Sequence, residues 1–208
     1  MIRRAICVLA LTAISSAVLM AQAAPAGWKL RIDESREASD PDGAGSVKFT
    51  VAGNGFRAVT PQAAVFWQPS ASATGTYTLK GTFALNEPSS HPNYYGLVFG
   101  GRNLDAASQS YTYFTVAQNG TWLVKKRQGE VATDVMPRGN SAAIRRPDAS
   151  GKSTNDLEVR VGATNIDFVV NGTTVHSMPK AGIATDGLYG MRVNHALDVT
   201  VTALAVTK

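Results

Sequence analysis

The stretch from Asp156 to Val175, DLEVRVGATNIDFVVNGTTV, carries the clearest alternation in the chain. Leu157, Val159 and Val161 alternate with Asp156, Glu158 and Arg160, the period of two that gives a strand one buried and one wet face. Ile166, Phe168 and Val170 repeat the pattern. Asn171-Gly172 supplies the two positive-φ positions of a type I′ turn, so the segment from Thr173 to Val175 returns as an antiparallel strand.

The same reading extends along most of the chain. Trp28 to Ile32 is a short first strand, and Ser46 to Ala52 and Phe56 to Thr60 flank the hairpin signal Gly53-Asn54-Gly55. Ala64 to Gln68, Gly75 to Leu85, Tyr94 to Gly100, Ser110 to Gln118 and Thr121 to Gln128 follow, each enriched in Val, Thr, Tyr or Phe. Asn119-Gly120 is a second hairpin turn, and Gly187 to Asn194 and Leu197 to Val206 are the last strands. Three polar stretches, Asp33 to Gly45, Asn86 to Asn93 and Met136 to Asn155, read as loops within one domain. With no capped helical stripe after the N-terminus, no repeat and no low-complexity segment, the pattern predicts an all-β, two-sheet antiparallel β-sandwich.

The N-terminus changes the expected compartment. Arg3 and Arg4 precede an apolar run from Ala5 to Met20, and Ala21-Gln22-Ala23 offers the small residues of a cleavage site, so residues 1–23 read as a secretory signal peptide and 24–208 as the mature domain. The apolar run is short for a membrane span, which needs roughly 20 residues. A secreted or periplasmic protein is expected. Cys7, the single cysteine, lies inside the leader, so the exported chain has no disulfide, no thiol nucleophile and no thiolate metal site. Without Arg3 and Arg4 the formal charge falls from +5 to about +3. The one dense basic cluster, Lys125-Lys126-Arg127, lies on a strand that sends alternate side chains to opposite faces, so no nucleic-acid surface is expected.

Three pieces together resemble the concanavalin A-like, laminin-G-like jelly-roll superfamily. They are TGTYTLKGTF (Thr74 to Phe83) followed by YYGLVFGGRN (Tyr94 to Asn103), then YTYFTVAQNGTWLVKKR (Tyr111 to Arg127), then the Val-Asn-Gly turn with the Gly-x-x-Gly strand and final strand of Asp186 to Val206. The resemblance covers nearly all of Gly27 to Lys208 and implies two curved sheets. Members of this superfamily bind carbohydrate, bind proteins or hydrolyse glycans, and they include bacterial 3-keto-disaccharide hydrolase-like domains. Fold does not select among these activities.

Jelly-roll glycoside hydrolases present Glu-x-Asp-x-Glu on one strand, and this chain has no such triplet. Its nearest pattern, Asp156-x-Glu158, is followed on the same side by Arg160 and reads as a solvated strand face. His91, His176 and His195 are scattered, with no pairing visible in the sequence. A structural calcium is the cofactor to consider, from the turn oxygens of Asp40 and Asp42 and from Asp198 at the start of the last strand, where relatives often place a ligand. Sugar recognition calls for flat aromatic rings beside fixed polar groups. Tyr94, Arg102, Tyr111, Tyr113 and Arg192 form the candidate set. Tyr111 and Tyr113 lie opposite the more apolar Phe114 and Val116, which leaves the tyrosines on the solvent side. Arg192 shares that surface if Met191 and Val193 point into the core. Trp28 and Trp67 read as packing residues.

The leading expectation is a secreted, non-catalytic module that binds carbohydrate or another extracytoplasmic partner. A glycan-active hydrolase related to the keto-disaccharide hydrolases is the first alternative, and a structural or interaction protein without a small ligand is the second. The oligomeric state is not set by any pattern in the chain.

Overall fold

Period-two alternation becomes strand almost wherever it occurs. The computed structural model describes residues 24–35 and 38–208, and the expected leader, with Cys7, lies outside the described residues. In chain order the strands are β1 (Lys29–Ile32), β2 (Lys48–Ala52), β3 (Gly55–Thr60), β4 (Ala64–Ala73), β5 (Tyr77–Glu87), β6 (Tyr94–Arg102), β7 (Ser110–Ala117) and β8 (Thr121–Gln128). They continue with β9 (Val131–Asp134), β10 (Gly139–Asn140), β11 (Ser153–Val161), β12 (Asn165–Val170), β13 (Thr173–Pro179), β14 (Gly187–Val193) and β15 (Leu197–Thr207). No helix among the described residues is long and apolar enough to cross a membrane.

The strands form two antiparallel sheets. Sheet one runs β1-β4-β14-β6-β7-β8-β10, with β9 also paired to β8, and sheet two runs β13-β12-β11-β5-β15-β3-β2. Between them lies the main core. Phe66, Leu97, Phe99, Phe114 and Met191 from sheet one meet Leu79, Phe83, Leu157, Phe168 and Val199 from sheet two. Phe114 and Phe168 pack across the gap with ring centroids 5.0 Å apart. Full burial of one such side chain contributes roughly 1.5–3 kcal/mol.

Local chemistry sets the turns that hold this arrangement. Asn171 and Gly172 adopt φ of 49° and 80°, the two positive values a type I′ turn requires. The Asn171 side chain then accepts from the Asp156 amide at 2.9 Å and donates to Ala143 O at 2.7 Å and to Asn155 Oδ1 at 2.8 Å. One residue therefore fixes the β12–β13 turn against β11 and against the loop before it.

Three features depart from the sequence reading. β9 is exposed at every position and shows no apolar alternation, so it left no signal. β10 sits inside the stretch read as a loop; Gly139 pairs with Trp122, and a Cβ there would fall 2.3 Å from the indole. β4 continues past Pro69, because β1 covers it only as far as Trp67 and the β14 ladder is interrupted between Leu188 and Gly190. The missing Pro69 amide falls where no partner needs it.

Candidate functional site

Sheet one is buried on both faces at its centre. All but the terminal residue of β6, and all but the first of β7, are inaccessible. On the face away from the main core, Val65, Trp67, Tyr94, Val98, Leu104, Tyr111, Tyr113 and Leu123 form a second apolar cluster. Phe114 and Val116 point into the main core, and Tyr111 and Tyr113 point the other way. The tyrosines are not on open surface, however: they are 3% and 5% exposed.

A buried ion-pair network locks this face. Asp33, on the chain leaving β1, accepts a short hydrogen bond from Arg192 and one from the Tyr111 hydroxyl at 2.7 Å. Arg127 stands 3.5 Å away and Arg31 3.7 Å away, and Gln109 Nε2 lies 3.4 Å from the same carboxylate. Arg192 also donates to the Tyr111 hydroxyl at 2.8 Å, and its guanidinium lies 5.1 Å from the centre of the Tyr113 ring. Its ladder partner on β6 is Gly96.

Charge pairing decides the protonation states here. Burial alone would raise the Asp33 pKa, but Arg192, Arg127 and the Tyr111 hydrogen bond outweigh it and hold the carboxyl below its ordinary 3.8. Burial pushes the Tyr111 hydroxyl well above its ordinary range; Arg192 opposes that rise and Asp33 adds to it. Tyr111 is therefore a fixed hydrogen-bonding group, donating to Asp33.

Beside this network a pocket of about 220 Å³ opens on the same face. Tyr94 and Tyr113 line it with Leu123, and Lys125, Arg138, Arg192, Asn93, Asn194 and Asp40 supply its polar groups. Lys125 is directly opposite Tyr113 in the β7–β8 ladder and lies 3.4 Å from Asp134. The exposed Arg138 stands over the Tyr94 ring at 5.2 Å, and the Tyr94 hydroxyl is 2.8 Å from Thr121 Oγ1. Asn93 is buried, and its Nδ2 has no hydrogen-bond partner.

Of the sequence candidates, Tyr94, Tyr113 and Arg192 thus converge on one pocket, with Asp40 at its edge. Arg192 is a correction in one respect, since it is buried and paired with Asp33 and does not stand on outer surface. Tyr111 is a second: it is buried, its hydroxyl belongs to the network, and it does not line the pocket. Arg102 ends β6 as an exposed residue outside the pocket. Sequence reasoning missed Asp33, Lys125, Arg127 and Arg138. Lys125 and Arg127 were accessible to it, because the Asn119-Gly120 hairpin pairs them with Tyr113 and Tyr111.

The acidic set expected for calcium is divided. Both Asp198 oxygens are engaged by Arg57, and Asn86 donates to Oδ1 at 2.8 Å. Burial tends to raise the Asp198 pKa, and these donors bring it below its ordinary value. Asp40 and Asp42 face histidine instead. His195 Nε2 and His91 Nε2 lie 3.0 and 3.1 Å from Asp40, and His195 Nδ1 lies 3.3 Å from Asp42. Calcium takes six to eight oxygens, a set these residues do not assemble. The two histidines that looked unpaired in sequence are neighbours, with ring centroids 5.6 Å apart, while His176 packs elsewhere against Trp122.

No protein-family model matches the chain, and no curated protein matches it in sequence. Solved structures match its fold. The carbohydrate binding module CBM66 from Bacillus subtilis is similar with a TM-score of 0.63 at 11% identity, covering 88% of this chain and 96% of that one. A Bacteroides ovatus mixed linkage glucan GH16 protein, in complex with a G4G4G3G product, gives 0.52 at 8% identity over 84% and 92%. Sheep galectin-11 in complex with glycerol gives 0.50 at 13% identity over 76% and 100%. The chain has the concanavalin A-like jelly-roll fold.

Proposed function

We propose that the chain is a non-catalytic carbohydrate-binding module acting outside the cytoplasm, with its sugar in the pocket of sheet one. One observation carries this reading: two tyrosine rings and a set of charged and amide groups meet in a single pocket on the face away from the main core. Sugars present apolar C–H faces between hydroxyls, so a recognition site combines rings with fixed donors and acceptors. Lys125, Arg138 and Arg192 are donors, Asp40 is an acceptor, and Asn194 offers both. The network around Asp33 holds Arg192 and Tyr113 in place before any ligand arrives, which lowers the ordering cost of binding.

Three further points support it. A Bacillus subtilis relative in fold is named for carbohydrate binding, and a Bacteroides ovatus one holds a glucan product. The leader read at residues 1–23 fits export to where glycans are met. Glycoside cleavage ordinarily requires two carboxylates flanking the bond, and among the described residues Asp40 is the single carboxylate lining the pocket. This favours binding over hydrolysis.

Retention on an immobilised glycan array tests the proposal. Arg138 is exposed, so Arg138→Ala should leave the melting temperature unchanged while weakening retention by about tenfold, the loss of one charge-assisted hydrogen bond. Retention equal to wild type in Arg138→Ala and Lys125→Ala alike, or turnover of a retained glycan, would overturn the reading.

A further inference from the structure

We infer that Asp40, His91 and His195 form a binding site for a divalent transition-metal ion of zinc type. The assignment does not rest on the sugar reading. Their ligand atoms, one carboxylate oxygen and two imidazole nitrogens, all lie within 4.8 Å of one another. Asp40 Oδ1 is 3.0 Å from His195 Nε2 and 3.1 Å from His91 Nε2. Ligands of a tetrahedral zinc at bond lengths near 2.05 Å are separated by about 3.3 Å, so the cluster is already close to the spacing that an ion would impose.

The state of His195 argues for a cation at this point. Its side chain is 8% exposed, and its Nε2 is buried with no hydrogen-bond partner despite the nearby carboxylate. Its other nitrogen, Nδ1, is 3.3 Å from Asp42 Oδ1. Nε2 thus faces the Asp40 carboxylate oxygen at 3.0 Å with no hydrogen bond formed between them. A buried ring nitrogen without a hydrogen-bond partner, set beside a carboxylate and a second imidazole, is a place where a bound cation would satisfy all three groups. A carboxylate behind a ligating imidazole is the usual support of a metal-bound histidine, where it fixes tautomer and ring orientation.

Each ligand is also anchored independently. The loop carrying His91 is tied to the end of β7, where Ser89 N donates to Gln118 Oε1 at 3.0 Å and Gln118 Nε2 donates to Ser89 O at 2.8 Å. The turn carrying His195 is held by Thr60 Oγ1, which donates to Asn194 O at 2.6 Å and to Leu197 O at 3.2 Å. Ser35 clasps the Asp40–Asp42 segment, its amide donating to Asp42 Oδ2 at 2.8 Å and its hydroxyl to Asp40 O at 2.7 Å. Two imidazoles and one carboxylate suit zinc, cobalt or nickel and do not suit calcium or magnesium, which prefer oxygen throughout. Because Asp40 also lines the sugar pocket, the ion would sit at the pocket's edge.

The test uses the untagged protein, freed of metal by chelation and titrated with Zn²⁺ by calorimetry and with Co²⁺ by visible absorption. One ion per chain is expected, with the intense cobalt bands of a low-coordinate nitrogen and oxygen site. His91 is half-exposed, so His91→Ala should fold as wild type and lose at least about tenfold in zinc affinity. Asp42→Asn, which leaves the ligands in place, should lose about tenfold, and His176→Ala should bind as wild type. No saturable binding at one ion per chain would overturn the assignment, and so would His91→Ala binding zinc as tightly as wild type.

Discussion

Asp33 carries more of this molecule than its place in a coil after a short strand would suggest. Its carboxylate is held among Arg192, Arg127, Arg31 and the Tyr111 hydroxyl, and it is nearly inaccessible. Removing one partner of a buried ion pair costs about 3–5 kcal/mol, because the other charge is left uncompensated. Asp33→Ala should therefore lower stability by about that amount in urea unfolding. Pairing it with Arg192→Met should recover a large part, since an apolar side chain then fills the space without a charge to satisfy. The pH dependence follows from a pKa below the ordinary 3.8. The contribution of Asp33 is fully present above the unfolded value and is lost as pH falls through the folded one. The stability gap between wild type and Asp33→Ala should thus be constant at neutral pH and narrow below about pH 3.8. A gap independent of pH down to acid unfolding would show that the charge pairing is not what Asp33 contributes. None of this was legible in the sequence. Asp33 and Arg192 lie 159 positions apart, and nothing local to either marks the other as its partner. The same holds for His91 and His195, which only the closing of two separate turns brings together.

At the scale of elements, the alternation and turn chemistry were sufficient for the long strands, while the short β9 and β10 escaped them. Leu157, Val159, Ile166 and Phe168 enter the main core as their parity requires, and the outward Glu158 pairs with Arg160 at 2.7 Å. The Asn171-Gly172 turn is where a single change should show this most clearly. Gly172 has open space for a Cβ but a φ of 80°, so Gly172→Ala meets backbone strain without a clash. A loss of about 1 kcal/mol is expected from thermal unfolding. An unchanged midpoint would mean that another turn sets the β12–β13 register. Parity could not reveal which elements are covered on their second face. β6 reads YYGLVFGG, an almost unbroken apolar run, and that run is the signature of a strand buried on both sides. Read only for alternation, the neighbouring β7 placed Tyr111 and Tyr113 in solvent, whereas Leu104 and the chain around Asp33 close over that face.

Over the whole molecule, the two outer faces differ in kind. Sheet two turns outward a conventional charged surface, with Asp156, Glu158 and Arg160 in one row. Sheet one turns outward a second apolar cluster, a buried ion network, a pocket and a histidine pair at its edge. A jelly roll needs one core to fold, and burying charge in a second cluster brings a desolvation penalty that stability alone does not explain. The asymmetry is accounted for if sheet one is built to hold side chains still for a ligand. The fold was readable because it depends on residue types repeated at short range. The pocket was readable only in part, through Tyr94, Tyr113 and Arg192, because its remaining groups come from the loop at Asn93, the β8 strand and the turn at Arg138. The most direct measurement is an NMR titration of the isotopically labelled protein with the best-retained oligosaccharide from the glycan array. Amide shifts confined to β6, β7 and β8 and to the segments around Asn93, Arg138 and Asn194 are the expected result. Shifts confined to the outer face of sheet two would contradict it.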